Sequence, residues 1–287
     1  SYVIFDSNIY DELYSKIEVT AHRGNSTVTM PNTIPAFKEA IKEGADYGEL
    51  DVRQTKDNVI VVTHDASLKE MTGQDINVRD LTYEELQKIP CIEVNGNKCT
   101  VPKLEDVINV CKGKIKLNIE IKTGNNDSED FVSDVVKIIE NTDFVDKCVV
   151  TSLDYRALRK VKECNPKIKT GYIMAVAMGD FYDLPCVDFF RMETTFVNGR
   201  VVERAHKLNR EIHVWTVNDD DSLKKCVELE VDNIITDNVA GAKSAIATHG
   251  DDVFSIVLNQ LKESDNSKEN IKKTNRILED VTGIEGA

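Results

Sequence analysis

Long apolar runs are missing from these 287 residues, which excludes a membrane-spanning helix within them. Basic residues are in deficit. The 36 Lys+Arg face 50 Asp+Glu, a formal charge of −14, and no basic stripe stands out, which argues against nucleic acid as a partner. The seven cysteines include no CxxC pair and are odd in number, so neither a zinc cage nor a disulfide scaffold is supported. Asn95-Gly96, between Cys91 and Cys99, is a hairpin turn signal. In that register Ile92 faces Cys99, so the two thiols are off register and no disulfide is expected. A signal peptide and an initiator methionine are also missing; a start at Ser1 is what a processed product or an excised domain would show. What is present is 41% hydrophobic residues, enough for a sizeable core.

Strand-like and helix-like runs alternate from about Ile17 to about Ala247. The first strand is Ile17 to Ala21. The helix after it starts at Asn32 or Thr33 as N-cap, carries Pro35 in its first turn, and sets Ile34, Phe37, Ala40 and Ile41 on one face before Gly44. Further strands are expected at residues 45–52, 59–63, 116–122, 148–151, 168–174, 187–192, 211–217 and 233–236, with helices between most of them. About eight βα units in this length fit a closed (β/α)8 TIM barrel better than two open sheets. Residues 1–16 read as a helical lead-in, 17–248 as the barrel, and 249–287 as an appended C-terminal helical segment. In that segment Val253, Phe254, Val257, Leu258 and Leu261 form one helical stripe, and Ile271, Ile277, Leu278 and Val281 another.

In such a barrel the active site lies at the C-terminal ends of the strands. The polar residues there are His22, Glu49 with Asp51, His64, Glu120 with Lys122, Glu193, and Trp215. Glu49-Leu50-Asp51 places two carboxylates on one strand face, and Glu120-Ile121-Lys122 places a carboxylate and an ammonium on one face. Three carboxylates in one barrel mouth repel one another. Either ion pairing with Lys122 or one hard divalent cation, Ca2+ or Mg2+, relieves that repulsion, and the two neighbouring histidines favour the cation. His22 and His64 suit acid–base work near neutrality. Arg23 and Lys122 suit an anion. Trp215, the one tryptophan, is either barrel packing or a wall against a small organic group. His206, His213 and His249 read as non-catalytic, and Ser152 lacks a GxSxG elbow.

These residues resemble the glycerophosphodiester phosphodiesterase family. Ala21-His22-Arg23-Gly24 is similar to its HRG opening, and Gly44 to Val52 to its GAD-x-x-E-x-DV strand. Thr55-Lys56-Asp57 through His64-Asp65, Asn118 to Lys122, Trp215 to Asn218 and Ile234 to Asp237 follow in the family's order, from Val19 to about Ala242. The resemblance implies a TIM barrel that hydrolyses glycerophosphodiesters to glycerol 3-phosphate and an alcohol. It makes His22 and His64 the acid/base pair and Glu49, Asp51 and Glu120 the metal ligands. Arg23 and Lys122 become phosphate ligands, with Glu193 and Trp215 at the substrate pocket. Related activities on lysophospholipid or polymeric glycerol-phosphate, or phosphodiester binding without turnover, are the alternatives. One departure is Pro31, where the family's P-E-N-T has glutamate; Asn32 is expected to cap the helix regardless. The run around Tyr47 resembles a bacterial subgroup that often carries an N-terminal membrane domain, which would make this chain the soluble part of a membrane-tethered protein.

Overall fold

A computed structural model describes residues 17–263 and residue 276. The lead-in expected over residues 1–16 and the second appended helix expected over residues 271–281 lie outside the described residues.

Strand β1 (Glu18–Ala21) leads to α1 (Ile34–Lys42), β2 (Tyr47–Gln54) and β3 (Ile60–Val62). Short helices α2 (Lys69–Thr72) and α3 (Tyr83–Gln87) precede α4 (Leu104–Cys111). The regular alternation then runs β4 (Lys116–Ile121), α5 (Phe131–Asn141), β5 (Cys148–Ser152), α6 (Tyr155–Cys164), β6 (Lys169–Met174) and β7 (Phe189–Glu193). It ends with α7 (Gly199–Lys207), β8 (Glu211–Trp215), α8 (Asp220–Glu228), β9 (Asn233–Thr236) and α9 (Val239–Glu263). The parallel strands are ordered β1-β9-β8-β7-β6-β5-β4-β2, and β1 pairs with β2 to close the ring. β3 is an antiparallel hairpin arm on β2, outside the ring. The structure is therefore the expected eight-stranded TIM barrel.

Alternation along each strand divides its side chains between two environments. Outward-facing Leu50, Val52, Ile119, Val150, Phe190, Ile212 and Ile234 are buried against Phe37, Val107, Val135, Leu158, Val202 and Leu223 of the helices. Inward-facing positions are largely polar, and at the N-terminal ends of the strands they close around aromatic rings. Phe189 is fully buried and stacks on His213 at 3.9 Å between centroids. Gly171 makes room for it: a Cβ there would lie 2.1 Å from the Phe189 ring.

Residues 60–103 form an insertion with a small core of their own, including Val61, Leu68, Met71, Val78, Leu86 and Val101. α3 within it starts with a capping box between Thr82 and Glu85. The hairpin turn at Asn95-Gly96 has positive φ at both residues, as a type I′ turn requires. The Cys91 amide donates to the Cys99 carbonyl, and the two free thiols do neighbour one another. Burial and the neighbouring Cys99 push the Cys91 thiol up to about 12. Two local expectations change. Of the two N-cap candidates for α1, Thr33 holds the position, and Asn32 does not cap the helix. α9 does not stop near Ala247 but continues unbroken to Glu263, because nothing between Thr248 and Asp251 breaks a helix except the weak Gly250. Among the described residues no helix is long and apolar enough to cross a membrane.

Candidate active site

Register brings the acidic residues together. β2 and β4 are paired so that Asp51 stands beside Glu120 and Glu49 beside Asn118. Carboxylate oxygens of Glu49, Asp51 and Glu120 lie within 4.8 Å of one another, and all three side chains are buried. Lys122 Nζ lies 2.7 Å from Glu120 and 3.8 Å from Asp51. Arg23 Nε lies 3.7 Å from Asp51 Oδ2, and the Asn32 amide donates to that same oxygen at 3.0 Å. Asn32 thus supports the acidic cluster instead of the helix. It does so from φ 62°, a left-handed conformation that asparagine tolerates. The turn that presents His22 and Arg23 depends on Gly24, whose φ is 75° and whose missing Cβ would lie 2.7 Å from the Ala36 backbone.

Each predicted histidine is held by a carboxylate. His22 Nδ1 lies 2.9 Å from Asp237 Oδ1, and its Nε2 faces Glu49 Oε2 at 3.6 Å. Asp237 also accepts from Ser26 at 2.8 Å and from the Asn218 amide at 2.8 Å. The His22 hydrogen bond holds the Asp237 carboxyl well below the usual carboxylate range. His64 Nδ1 lies 2.8 Å from Asp65 Oδ1. Burial, with Arg23 and Lys122 nearby, holds the His64 imidazole below its ordinary value. His64, Asp65 and Arg23 line one small pocket with Asn32, Pro31 and Glu70.

Charge within the cluster is incompletely met. Glu49 Oε1 and Oε2 and Asp51 Oδ1 are buried acceptors without a hydrogen bond. Burial, Glu49 and Glu120 hold the Asp51 carboxyl well above the ordinary range. Burial would raise Glu120 as well, but Arg191 and Lys122 outweigh it and keep it ionised. Buried, unsatisfied carboxylate oxygens converging from two strands are what a hard divalent cation coordinates. Glu49, Asp51 and Glu120 therefore fit such an ion on their own chemistry. A second acidic group, His64, Asp65 and Glu70, is more exposed, and its members engage one another and Arg23.

Two residues of the site escape a reading of the sequence. Arg191 sits in the middle of β7 and is buried. Its guanidinium lies 3.2 Å from Glu120 Oε2, 3.5 Å from Glu49 Oε2 and 5.6 Å from the Trp215 ring centroid. Alternation from Glu193, two residues on, could have placed it on the inner face. Asp237 follows β9, and its strand-end position is the signal in the sequence that marks it. Trp215 is thus joined to the cluster through Arg191. Glu193 is not drawn into it: it pairs with Trp215 across the strand ends, but its carboxylate turns to the Thr195 amide, at 3.0 Å, and hydroxyl.

Comparison with known proteins assigns the chain to a family. Residues 22–240 match the Glycerophosphoryl diester phosphodiesterase family. The chain belongs to this family. A glycerophosphodiester phosphodiesterase of Caldanaerobacter subterraneus subsp. tengcongensis is 31% identical over 230 residues, 78% of this chain and 95% of the relative. One from Bacillus altitudinis is 30% identical over 77% of this chain and 94% of its own. Among solved structures, an Oleispira antarctica phosphodiesterase in complex with the product sn-glycerol-3-phosphate has a TM-score of 0.75 at 23% identity, covering 82% of this chain and 99% of that one. That likeness concerns the fold. Membership of the family makes the protein a phosphodiester-hydrolysing enzyme on a TIM barrel.

Proposed function

We propose that the barrel mouth hydrolyses glycerophosphodiesters to glycerol 3-phosphate and an alcohol, with His22 and His64 as the acid–base pair and Glu49, Asp51 and Glu120 holding one divalent cation, Ca2+ or Mg2+. The observation that carries the reading is the pairing of two carboxylate-held histidines with a buried acidic cluster that retains unsatisfied oxygens. With Nδ1 of each ring engaged, Nε2 is the nitrogen left for proton transfer. One histidine takes the proton from the attacking oxygen, and the other gives a proton to the leaving alkoxide as the P–O bond breaks. Lys122 and Arg23, both largely buried beside the cluster, offset the negative charge on the phosphate oxygens. The cation, when bound, supplies Lewis-acid stabilisation of those same oxygens. Trp215 and Glu193 would border the substrate pocket.

Support for this substrate class comes from the family and from relatives that bear the same name over most of their length. The test is release of glycerol 3-phosphate from glycerophosphocholine, with and without a chelator. Turnover that needs a divalent ion and collapses in His22→Ala and His64→Ala is expected. Full activity in either variant would overturn the assignment of the histidines, and full activity in chelator would overturn the cation.

A further inference from the structure

Arg191 stands out among the charged residues inside the barrel. Its side chain is about as buried as the carboxylates it meets, 5% exposed against 1% for Glu49 and 4% for Glu120. It reaches two of the three residues read as metal ligands, and on each it meets the Oε2 oxygen. Lys122 meets the remaining Glu120 oxygen and approaches Asp51. Counted together with Arg23, which lies 3.7 Å from Asp51 and is shared with Glu70 at 3.6 Å, four carboxylates face three cations, which leaves one net negative charge when all are ionised.

A divalent ion alone would turn the buried cluster net positive, and a phosphodiester alone would make it more negative. Uncompensated charge in a poorly solvated site is costly in either case. Only the two together bring the cluster to neutrality. Without Arg191 the three carboxylates and Lys122 would match a divalent ion by themselves.

We propose that Arg191 is a built-in counter-cation that holds divalent-ion binding weak until a phosphate ester arrives, so that metal and substrate bind as mutually dependent partners. The inference rests on the reading of Glu49, Asp51 and Glu120 as the cation site. It assigns Arg191 a positioning and charge-setting role with no contact to the reacting atoms.

Calorimetric titration of the chain with Ca2+, with and without saturating dimethyl phosphate, a monoanionic phosphodiester, tests it. In the wild type the ester should tighten the Ca2+ Kd by about tenfold, and Ca2+ should tighten the ester Kd by the same factor. Arg191→Met should tighten Ca2+ binding in the absence of ester by about tenfold and shrink the coupling. Arg191→Lys, which keeps the charge, should retain weak Ca2+ binding and the coupling. Should the methionine variant fail to fold, Arg191→Gln, which retains a donor toward Glu120, replaces it, and the wild-type coupling is measurable without any variant. Wild-type Ca2+ binding indifferent to the ester would overturn the proposal, as would Arg191→Met with wild-type Ca2+ affinity. No Ca2+ binding to wild type under either condition would overturn the cation site itself, and this inference with it.

Discussion

The two ends of the barrel are both lined with charge, but they spend it differently. At the N-terminal ends of the strands, Lys116 meets Glu18 at 3.3 Å, and Glu211 is held by Lys169 and by His213 at 3.0 Å. Burial would raise the Glu211 carboxyl, but those two partners keep it at about 2. At the C-terminal ends, three carboxylates crowd together, Asp51 is driven the opposite way, and buried oxygens go unmatched. One end is a set of ion pairs that holds strands in place. The other is an open set that a ligand completes. Charged residues at strand ends are thus a poor indicator of a site until their partners are counted.

The contrast can be broken by substitution. The largest effect is expected at the histidines: His22→Ala and His64→Ala should each lower turnover by roughly 10²-fold or more. The double variant should lose far less than the product of the two if they serve one step. His206→Ala, whose ring meets Asp232 on the outside of the barrel, is the control. Comparable losses in all three would point to folding damage.

Asp51→Asn comes next. It should weaken divalent-ion binding by roughly 10²-fold while leaving the barrel folded, since the variant relieves repulsion inside the cluster. Calorimetry beside a circular dichroism melt would separate the two effects; unchanged affinity would remove Asp51 from the ligand set. Asp237→Asn should lower kcat by about tenfold with little change in KM, because the amide no longer fixes the Nδ1 proton of His22. A loss confined to KM would argue against that orienting role.

A smaller effect concerns pH. The imidazole of His64 is held below its ordinary value, so the folded state binds its proton less readily than the unfolded chain. The resulting stability is present in full above about pH 6.5 and is lost as pH falls from there through the folded value. His64→Gln should therefore gain on the wild type in denaturant midpoints as pH drops from 7 toward 5. Parallel curves would show that the site does not depress this histidine. The smallest effect is expected at the opposite end. Glu18→Gln should shift stability by no more than about 1 kcal/mol and leave turnover unchanged, as exposed ion pairs do. A large kinetic loss there would erase the distinction between the ends.

Much of this was legible in the sequence. Strand and helix periods are local, and β9 falls at the residues expected for it. The strand-end rule placed His22, Glu49, Asp51, His64, Glu120 and Lys122 where they converge. The partners were hidden. Arg191 lies in the middle of a strand, where an arginine reads as an exposed edge residue unless the inner face is known. Asn32 looked like a cap because asparagine before a helix usually is one. Its side chain instead serves Asp51, a contact across 19 positions that no local pattern encodes. The continuity of α9 was obscured by Gly250 and the adjacent Asp251-Asp252, which resemble a helix end without being one.

The stacked Phe189 and His213, with Val149 and Tyr47 around them, plug the barrel at the N-terminal ends of its strands. The mouth is therefore a blind well. Whatever enters to be cleaved must leave by the way it came, both fragments past the same rim and past any incoming molecule. Release of one fragment is then a queueing problem as well as an affinity. The residues that govern it are those of the rim, on loops outside the acidic cluster, where substitutions can alter traffic without touching bond cleavage.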